Sequence, residues 1–345
     1  MSSLSRLHYR PAIALLITLG VIVLAACSGG GNQPSSSGGG NQPSSSGATS
    51  AALAKVSVAI PIPIAAYLLP MYAQEKGLFA KYGIDADVKV IPPPGVMSLM
   101  VAGREDFGIF SGPTVENAAI QGSDLVWIST YISEPLVSLM ARPQITDIAA
   151  LKGKTIAITT PGSLSEFMTR RLLRENGLDP DRDVQIRVVA GQSASRNALI
   201  AGQVDAVILG SPDDALAAQN GMKVLKDLRG GAYTWPFAGM MTRKSYAEAN
   251  PEVTTNFLRA MNEAVDSWRS DPEGVQELII RTSKVDAATA KQAYDEVSAA
   301  FNSSNIPDAK ASAVALDELK TRDPKAANVR PEDVVLPTYA QQAGR

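Results

Sequence analysis

The chain has 345 residues, 45% hydrophobic and 6% aromatic, with 32 Lys+Arg against 34 Asp+Glu and a net charge of −2. At ~100–200 residues per domain that length fits two domains with a sizeable core, and the near-neutral balance excludes the basic footprint of nucleic-acid binding. The only His and the only Cys are His8 and Cys27, so the rest of the chain excludes Ser-His-Asp triads, Cys–His pairs, Cys/His zinc sites and disulfides.

Arg6 and Arg10 precede the uncharged apolar run Ala12–Ala26. A basic start, a short hydrophobic stretch and then small residues form a secretory signal. The run of about 15 residues falls short of the ~20 that a spanning helix needs. It ends Leu24-Ala25-Ala26-Cys27, which resembles the lipobox of bacterial lipoproteins. That resemblance implies cleavage after residue 26, acylation of the Cys27 sulfur, and a lipid anchor on the extracytoplasmic face of a cell membrane. From Gly29 to Ser46 the unit Gly-Gly-Gly-Asn-Gln-Pro-Ser-Ser-Ser occurs twice. With no apolar side chain to bury, residues 27–52 read as a disordered tether with a reach of ~25–30 Å. Losing residues 1–26 leaves 30 basic against 34 acidic residues, a charge of −4, which argues against electrostatic adhesion to anionic lipid.

The body alternates strand and helix signals. Strands are predicted at 55–60, 84–91, 107–110, 125–130, 136–141, 155–159, 184–189, 206–209 and 237–242, with helical stretches between most of them. This pattern predicts an α/β fold with helices on both sheet faces. Beyond Asn250-Pro251, apolar residues Val253, Phe257, Met261, Val265 and Trp268 recur every three or four positions. From 252 to 320 only helices are expected, packed on an existing sheet.

An internal repeat lies at an offset of 99 residues. Ala102-Gly103-x-x-Asp106-x-x-Ile109-x-x-x-Pro113 returns as Ala201-Gly202-x-x-Asp205-x-x-Ile208-x-x-x-Pro212, followed by Gly122 and Gly221. Each copy reads as a helix ended by Gly, a short buried strand, and a second helix with Pro near its start. One copy in each half predicts two lobes of similar local construction.

In open α/β sheets, ligands sit beyond the carboxyl ends of the strands, where helix N-termini expose backbone N–H groups. The corresponding junctions are 61–67, 111–114, 160–165, 191–195, 210–213 and 233–237. Ser163 followed by Glu166 is a capping box, and helix capping alone accounts for many of these residues. A shared cleft would draw its candidate binding residues from the same junctions: Pro63, Ile64, Tyr67, Gly112, Thr114, Gly162, Ser163, Ser193, Ser211, Trp235 and Phe237, with Tyr131 nearby. Thr114, Ser163, Ser193 and Ser211 are the expected hydroxyl donors. Tyr67, Tyr131, Tyr233, Trp235 and Phe237 offer stacking faces, and Phe110 reads as core. Acids Glu116, Glu166, Asp213 and Asp214 occupy first helical turns, and Arg196 is the nearby base.

Six motifs carry a family resemblance: Glu75-Lys76-Gly77-Leu78-Phe79-Ala80-Lys81-Tyr82-Gly83-Ile84, Ala102–Gly108, Leu151-Lys152-Gly153-Lys154-Thr155-Ile156, Asn176-Gly177-Leu178-Asp179-Pro180, Ala201–Ala206 and Asn250-Pro251-Glu252-Val253. Over roughly residues 56–281 the chain resembles the nitrate/sulfonate/taurine/thiamine-precursor binding proteins of ABC importers. The resemblance implies a type II periplasmic binding protein with two α/β lobes and two crossing segments, near 139–143 and 235–240. The lobes would then be 53–141 plus 237–345, and 142–236. It also implies a monomeric body, an ABC permease and ATPase as partners, and no cofactor or catalytic residue. A related pyrimidine synthase needs His and Cys, which the body lacks. Carboxylate-only hydrolysis and ligand sensing for a membrane receptor are the rival functions. Acidic first turns and candidate aromatic faces favour a neutral planar heterocycle, riboflavin or a pyrimidine, over a sulfonate, taurine or nitrate.

Overall fold

The computed structural model describes residues 52–92, 95–230 and 233–344. The expected signal segment, Cys27 and all of the tether but its last residue lie outside the described residues. Among the described residues no helix is long and apolar enough to cross a membrane.

Strand β1 (Ala54–Ile60) passes through a 3-10 turn into α1 (Leu69–Glu75) and α2 (Leu78–Lys81). β2 (Ile84–Val90), α3 (Gly95–Val101), β3 (Phe107–Phe110), α4 (Thr114–Ile120) and β4 (Leu125–Ile132) follow. The chain then enters a second sheet with β5 (Val137–Ala141), β6 (Thr155–Ile158), α5 (Leu164–Glu175), β7 (Gln185–Val188), α6 (Gln192–Ile200), β8 (Ala206–Gly210), α7 (Asp213–Gln219) and β9 (Lys223–Asp227). It returns to the first sheet with β10 (Ala238–Arg243). The remaining helices are α8 (Lys244–Ala249), α9 (Pro251–Ser270), α10 (Pro272–Ser283), α11 (Ala287–Ala300), α12 (Ala309–Lys320) and α13 (Thr338–Ala343).

The two five-stranded sheets have equivalent orders, β2-β1-β3-β10-β4 and β7-β6-β8-β5-β9. In each, three strands run parallel and the fourth in line, β10 or β5, is antiparallel to both neighbours. This is the expected two-lobe α/β architecture. The central strands β3, β5 and β8 are buried throughout, which is why they read as continuous apolar runs rather than alternating ones.

Two expectations need correction. Val137–Ala141 pairs in full with β8, so it belongs to the second lobe and the first crossing is the short segment 133–136 instead of 139–143. The second crossing, 228–237, starts earlier than 235. The crossings are hydrogen-bonded side by side, with Trp235 N–H donating to Ser133 O at 3.0 Å and Phe237 N–H to Ile132 O at 2.8 Å. The second correction is β9, absent from the sequence reading. Its pattern Lys-Val-Leu-Lys-Asp is exposed at four of five positions, as an edge strand can be, and lacks the apolar run that marks a central one.

The C-terminal helices pack on the first lobe. Pro251 occupies the first turn of α9, where its missing N–H costs nothing. The apolar stripe of α9 buries Phe257, Met261, Val265 and Trp268. Phe257 stacks on Phe107 of β3 at 4.0 Å and on Phe79 of α2 at 5.3 Å. Burying each such ring contributes about 2–3 kcal/mol, and Phe257 ties helix α9 to the sheet that carries one side of the cleft.

Candidate ligand-binding cleft

A cavity of about 250 Å³ lies between the lobes. The first lobe supplies Pro61, Ile62, Ile64, Tyr67, Val96, Met97, Phe110, Ser111, Thr114 and Phe237; the second supplies Val137, Thr159–Ser165, Gln192 and Ile208. Among the described residues no charged side chain lines it. A neighbouring outer chamber of about 400 Å³ shares Pro61, Ile62, Ile64 and Gln192 and adds Pro63, Ser193, Asp213 and Lys284, among others.

The polar wall of the inner chamber is built by the start of α5. Ser163 caps that helix: the Glu166 N–H donates to its Oγ at 3.4 Å, and its own hydroxyl donates to Thr160 O at 2.6 Å. The Oγ atoms of Ser163 and Ser165 stand 2.9 Å apart, and Thr159 Oγ1 is 3.0 Å from Ser165 Oγ, so three hydroxyls form a chain along the wall. Facing it, Thr114 donates to Ser111 O at 2.6 Å. Tyr67 and Phe237 supply aromatic faces, tilted by 44° with centroids 6.3 Å apart. Burial pushes the Tyr67 phenol up, against a hydrogen bond with Ser111, so it stays a neutral donor and acceptor. The arrangement gives an apolar box with a hydroxyl-lined end.

The Pro161-Gly162-Ser163 loop is held from both lobes. Asn117 of α4 donates from Nδ2 to Gly162 O at 3.1 Å, and the Gly162 N–H donates to Glu166 Oε2 at 2.7 Å. Glu166 Oε1 in turn accepts from Arg170 at 2.8 Å and from Arg322 of the first lobe at 3.0 Å. Burial opposes the Glu166 charge, but the Gly162 amide and the two guanidinium groups outweigh it and hold the carboxyl below its ordinary range. Elsewhere Arg229, on the second crossing, pairs with Asp214 of α7 and Glu296 of α11. Arg196 pairs with Asp213, so it is not turned to solvent as a free anion site.

Of the residues expected in the cleft, Ile64, Tyr67, Thr114, Gly162, Ser163 and Phe237 line the inner chamber and Pro63 and Ser193 the outer one. Four expected residues line neither chamber. Trp235 is 1% exposed and packs edge-on against Phe167 at 5.4 Å. Tyr131 lies within β4, buried against Asn262. Ser211, two residues before α7, is buried. Gly112 donates its N–H to Pro236 O and sits against Leu164 of the opposite lobe. Phe110, read as core, does line the wall. Val96 and Met97 of α3 also line the wall, and the sequence of α3 carries no junction signal that marks them.

The family described as NMT1/THI5 like matches residues 66–275. The chain belongs to that family. It is 25% identical over 239 residues to the nitrate/nitrite binding protein NrtA of Synechococcus elongatus, covering 60% of this chain and 53% of that protein. It is 26% identical over 255 residues to the bicarbonate transport ATP-binding protein CmpC of the same species, covering 66% and 37%. The alignments thus span about half of the first relative and about a third of the second. Among solved structures, the alkanesulfonate-binding protein SsuA of Xanthomonas axonopodis superposes with a TM-score of 0.68 at 18% identity, over 82% of this chain and 98% of that one. A likeness at that identity speaks to fold, and the NMT1/THI5-like chain accordingly has the fold of periplasmic binding proteins.

Proposed function

We propose that this chain is the substrate-binding protein of an ABC importer. Lipid on Cys27 and the Gly/Ser-rich tether hold the two-lobed body on the extracytoplasmic face of a membrane. The lobes close over one small ligand, and a permease with its ATPase recognises the closed form. The closed form is favoured in so far as the ligand binds it more tightly than the open form. Binding breaks no bond, so no residue is given a catalytic role. The family membership and the transport names of the relatives support this reading.

The ligand proposed is a neutral, single-ring heterocycle of the pyrimidine type. The observation that carries it is the inner chamber's wall, which among the described residues has no charged side chain. An unpaired anion desolvated there would lose hydration without a cation to replace it. Size narrows the choice further. A single ring is what the chamber of about 250 Å³ can hold by itself, below the ~300–1,000 Å³ of pockets that enclose drug-sized molecules, whereas the three fused rings of riboflavin would have to extend into the neighbouring chamber of about 400 Å³. The second reading is an aliphatic sulfonate or nitrate. It is favoured by the Ser163–Ser165 hydroxyls at a helix start and by the nitrate and alkanesulfonate names of the relatives.

Calorimetry of the soluble body against pyrimidines, riboflavin, taurine, butanesulfonate and nitrate tests both. Tightest binding is expected for a pyrimidine. Tightest binding of butanesulfonate or nitrate would replace the first reading with the second.

A further inference from the structure

We infer that Glu166 sets the charge selectivity of the inner chamber and restricts it to uncharged ligands. The inference deepens the neutral-ligand reading and rests on it.

The start of a helix is where backbone N–H groups would meet an anion. The α5 helix has 12 residues, and residues 162–165 at its start form part of the chamber wall. In this chain two of those N–H groups, at Gly162 and Glu166, are already occupied from within. The Gly162 N–H is donated to Glu166 Oε2 at 2.7 Å, and the Glu166 N–H is turned onto Ser163 Oγ at 3.4 Å. The loop cannot easily re-aim the Gly162 amide, because Asn117 holds the carbonyl of the same residue from the opposite lobe.

The two carboxylate oxygens divide their partners. Oε1 takes both guanidinium groups, Arg170 at 2.8 Å and Arg322 at 3.0 Å, while Oε2 takes the amide of the wall. The positive partners therefore contact the oxygen that does not hold the Gly162 amide. Glu166 is 3% exposed, so water screens it little. An anion touching Gly162 would find the donor taken and a negative charge one hydrogen bond away. An uncharged polar group meets no such repulsion and still finds the hydroxyls of Ser163, Ser165 and Thr114. Replacing the carboxylate by an amide removes the repulsion and takes the carboxylate partner from Arg322, while Arg170 keeps its pair with Asp181 at 2.7 Å.

The test compares wild type with Glu166→Gln by calorimetry, using butanesulfonate and a pyrimidine panel, with thermal unfolding as a check on folding. The variant should bind butanesulfonate about tenfold more tightly than wild type, and its affinity for a neutral pyrimidine should change by less than about threefold. A wild type that prefers a pyrimidine, with a variant no better at butanesulfonate, overturns the role of Glu166 alone. A wild type that prefers butanesulfonate overturns the neutral-ligand reading and the inference with it. Gain of butanesulfonate binding by a variant whose parent binds no neutral ligand supports the selectivity role and removes the pyrimidine. Binding of neither probe by either protein counts against both. Should Glu166→Gln fail to fold, the double variant E166Q/R322Q removes both charges of the cross-lobe pair, and the same gain in butanesulfonate affinity, smaller in size, is expected from it.

Discussion

Asp106 and Asp205 hold equivalent places in the two sheets, each accepting hydrogen bonds from the strand that sits second in its own sheet, β1 or β6. Asp106 Oδ2 accepts from the Ser57 N–H at 2.9 Å and from its hydroxyl at 3.1 Å; Asp205 Oδ2 accepts from the Thr155 N–H at 3.0 Å. Each acid precedes the strand that sits third in its sheet, β3 or β8. The repeat at an offset of 99 residues is thus one structural unit used twice: a helix stop at a glycine with φ near +70° (Gly103 and Gly202), a tether to the neighbouring parallel strand (β1 or β6), and a buried strand leading to the cleft.

Removing either tether should destabilise the fold without altering the chamber. Asp205→Ala strands the Thr155 N–H and should cost about 1–3 kcal/mol, and Asp106→Ala should cost a similar amount. Urea unfolding monitored by tryptophan fluorescence reads the loss. An unchanged midpoint for both variants would leave the acids as surface groups with no part in joining the strands.

Trp235 should behave as a core residue. Its ring is 1% exposed, with Phe167 at 5.4 Å and Tyr233 at 5.7 Å. Truncating a buried Trp to Ala costs about 3–5 kcal/mol, so Trp235→Ala should shift the unfolding midpoint strongly. A variant that kept its midpoint and lost ligand affinity would return Trp235 to the cleft.

What the sequence made legible follows from how local each signal is. Ser163 with Glu166, and the acid-rich start of α7, mark helix starts through contacts within four residues, and such starts gather at the cleft because α/β sheets put them there. Direction and partner are not local. Nothing in Tyr233-x-Trp235-x-Phe237 says that Phe237 faces the chamber while Trp235 turns to Phe167. The apolar run Val137–Ala141 reads as a buried strand, but its assignment to one sheet or the other depends on β8 and β9, far along the chain. The pairing of Arg322 with Glu166 spans 156 residues and has no sequence signal at all.

Glu116 predicts a pH dependence. Its carboxyl is fully buried, with Oε1 accepting from Trp127 Nε1 at 3.1 Å, and burial pushes it from an ordinary 4.5 to about 7. Between those values the folded protein keeps a proton that the unfolded chain has released, so stability falls as pH rises through that window and levels off above it. The size is on the order of 3 kcal/mol at most. Glu116→Gln keeps an oxygen for Trp127 and cannot ionise. Urea midpoints measured from pH 5 to pH 8 should therefore decline more steeply for wild type than for the variant, with the variant the more stable of the two at pH 8. Parallel curves would mean that Glu116 ionises in the fold as readily as in the unfolded chain.

Gly112 lies where the lobes touch. Its φ of 67° is costly for a residue with a side chain, and a Cβ there would meet Leu164 Cβ and Cδ1 at 3.1 Å and its Cα at 3.2 Å. Leu164 is the first residue of α5, so the clash falls between Ser111–Thr114 of one lobe and Gly162–Ser165 of the other, across the chamber. Gly112→Ala therefore has two separable effects. The left-handed backbone should cost about 1 kcal/mol of stability, read as a modest drop in unfolding midpoint. The contact with Leu164 should hold the lobes apart and weaken ligand binding about tenfold, equivalent to ~1.4 kcal/mol. Pairing it with Leu164→Gly removes the Cβ and Cδ1 that the added methyl would meet and leaves only the Cα, at 3.2 Å. Recovery of affinity in G112A/L164G, measured by calorimetry alongside the single variants, assigns the loss to lobe closure, whereas an equal loss in the double variant would assign it to the backbone of the Ser111–Thr114 loop.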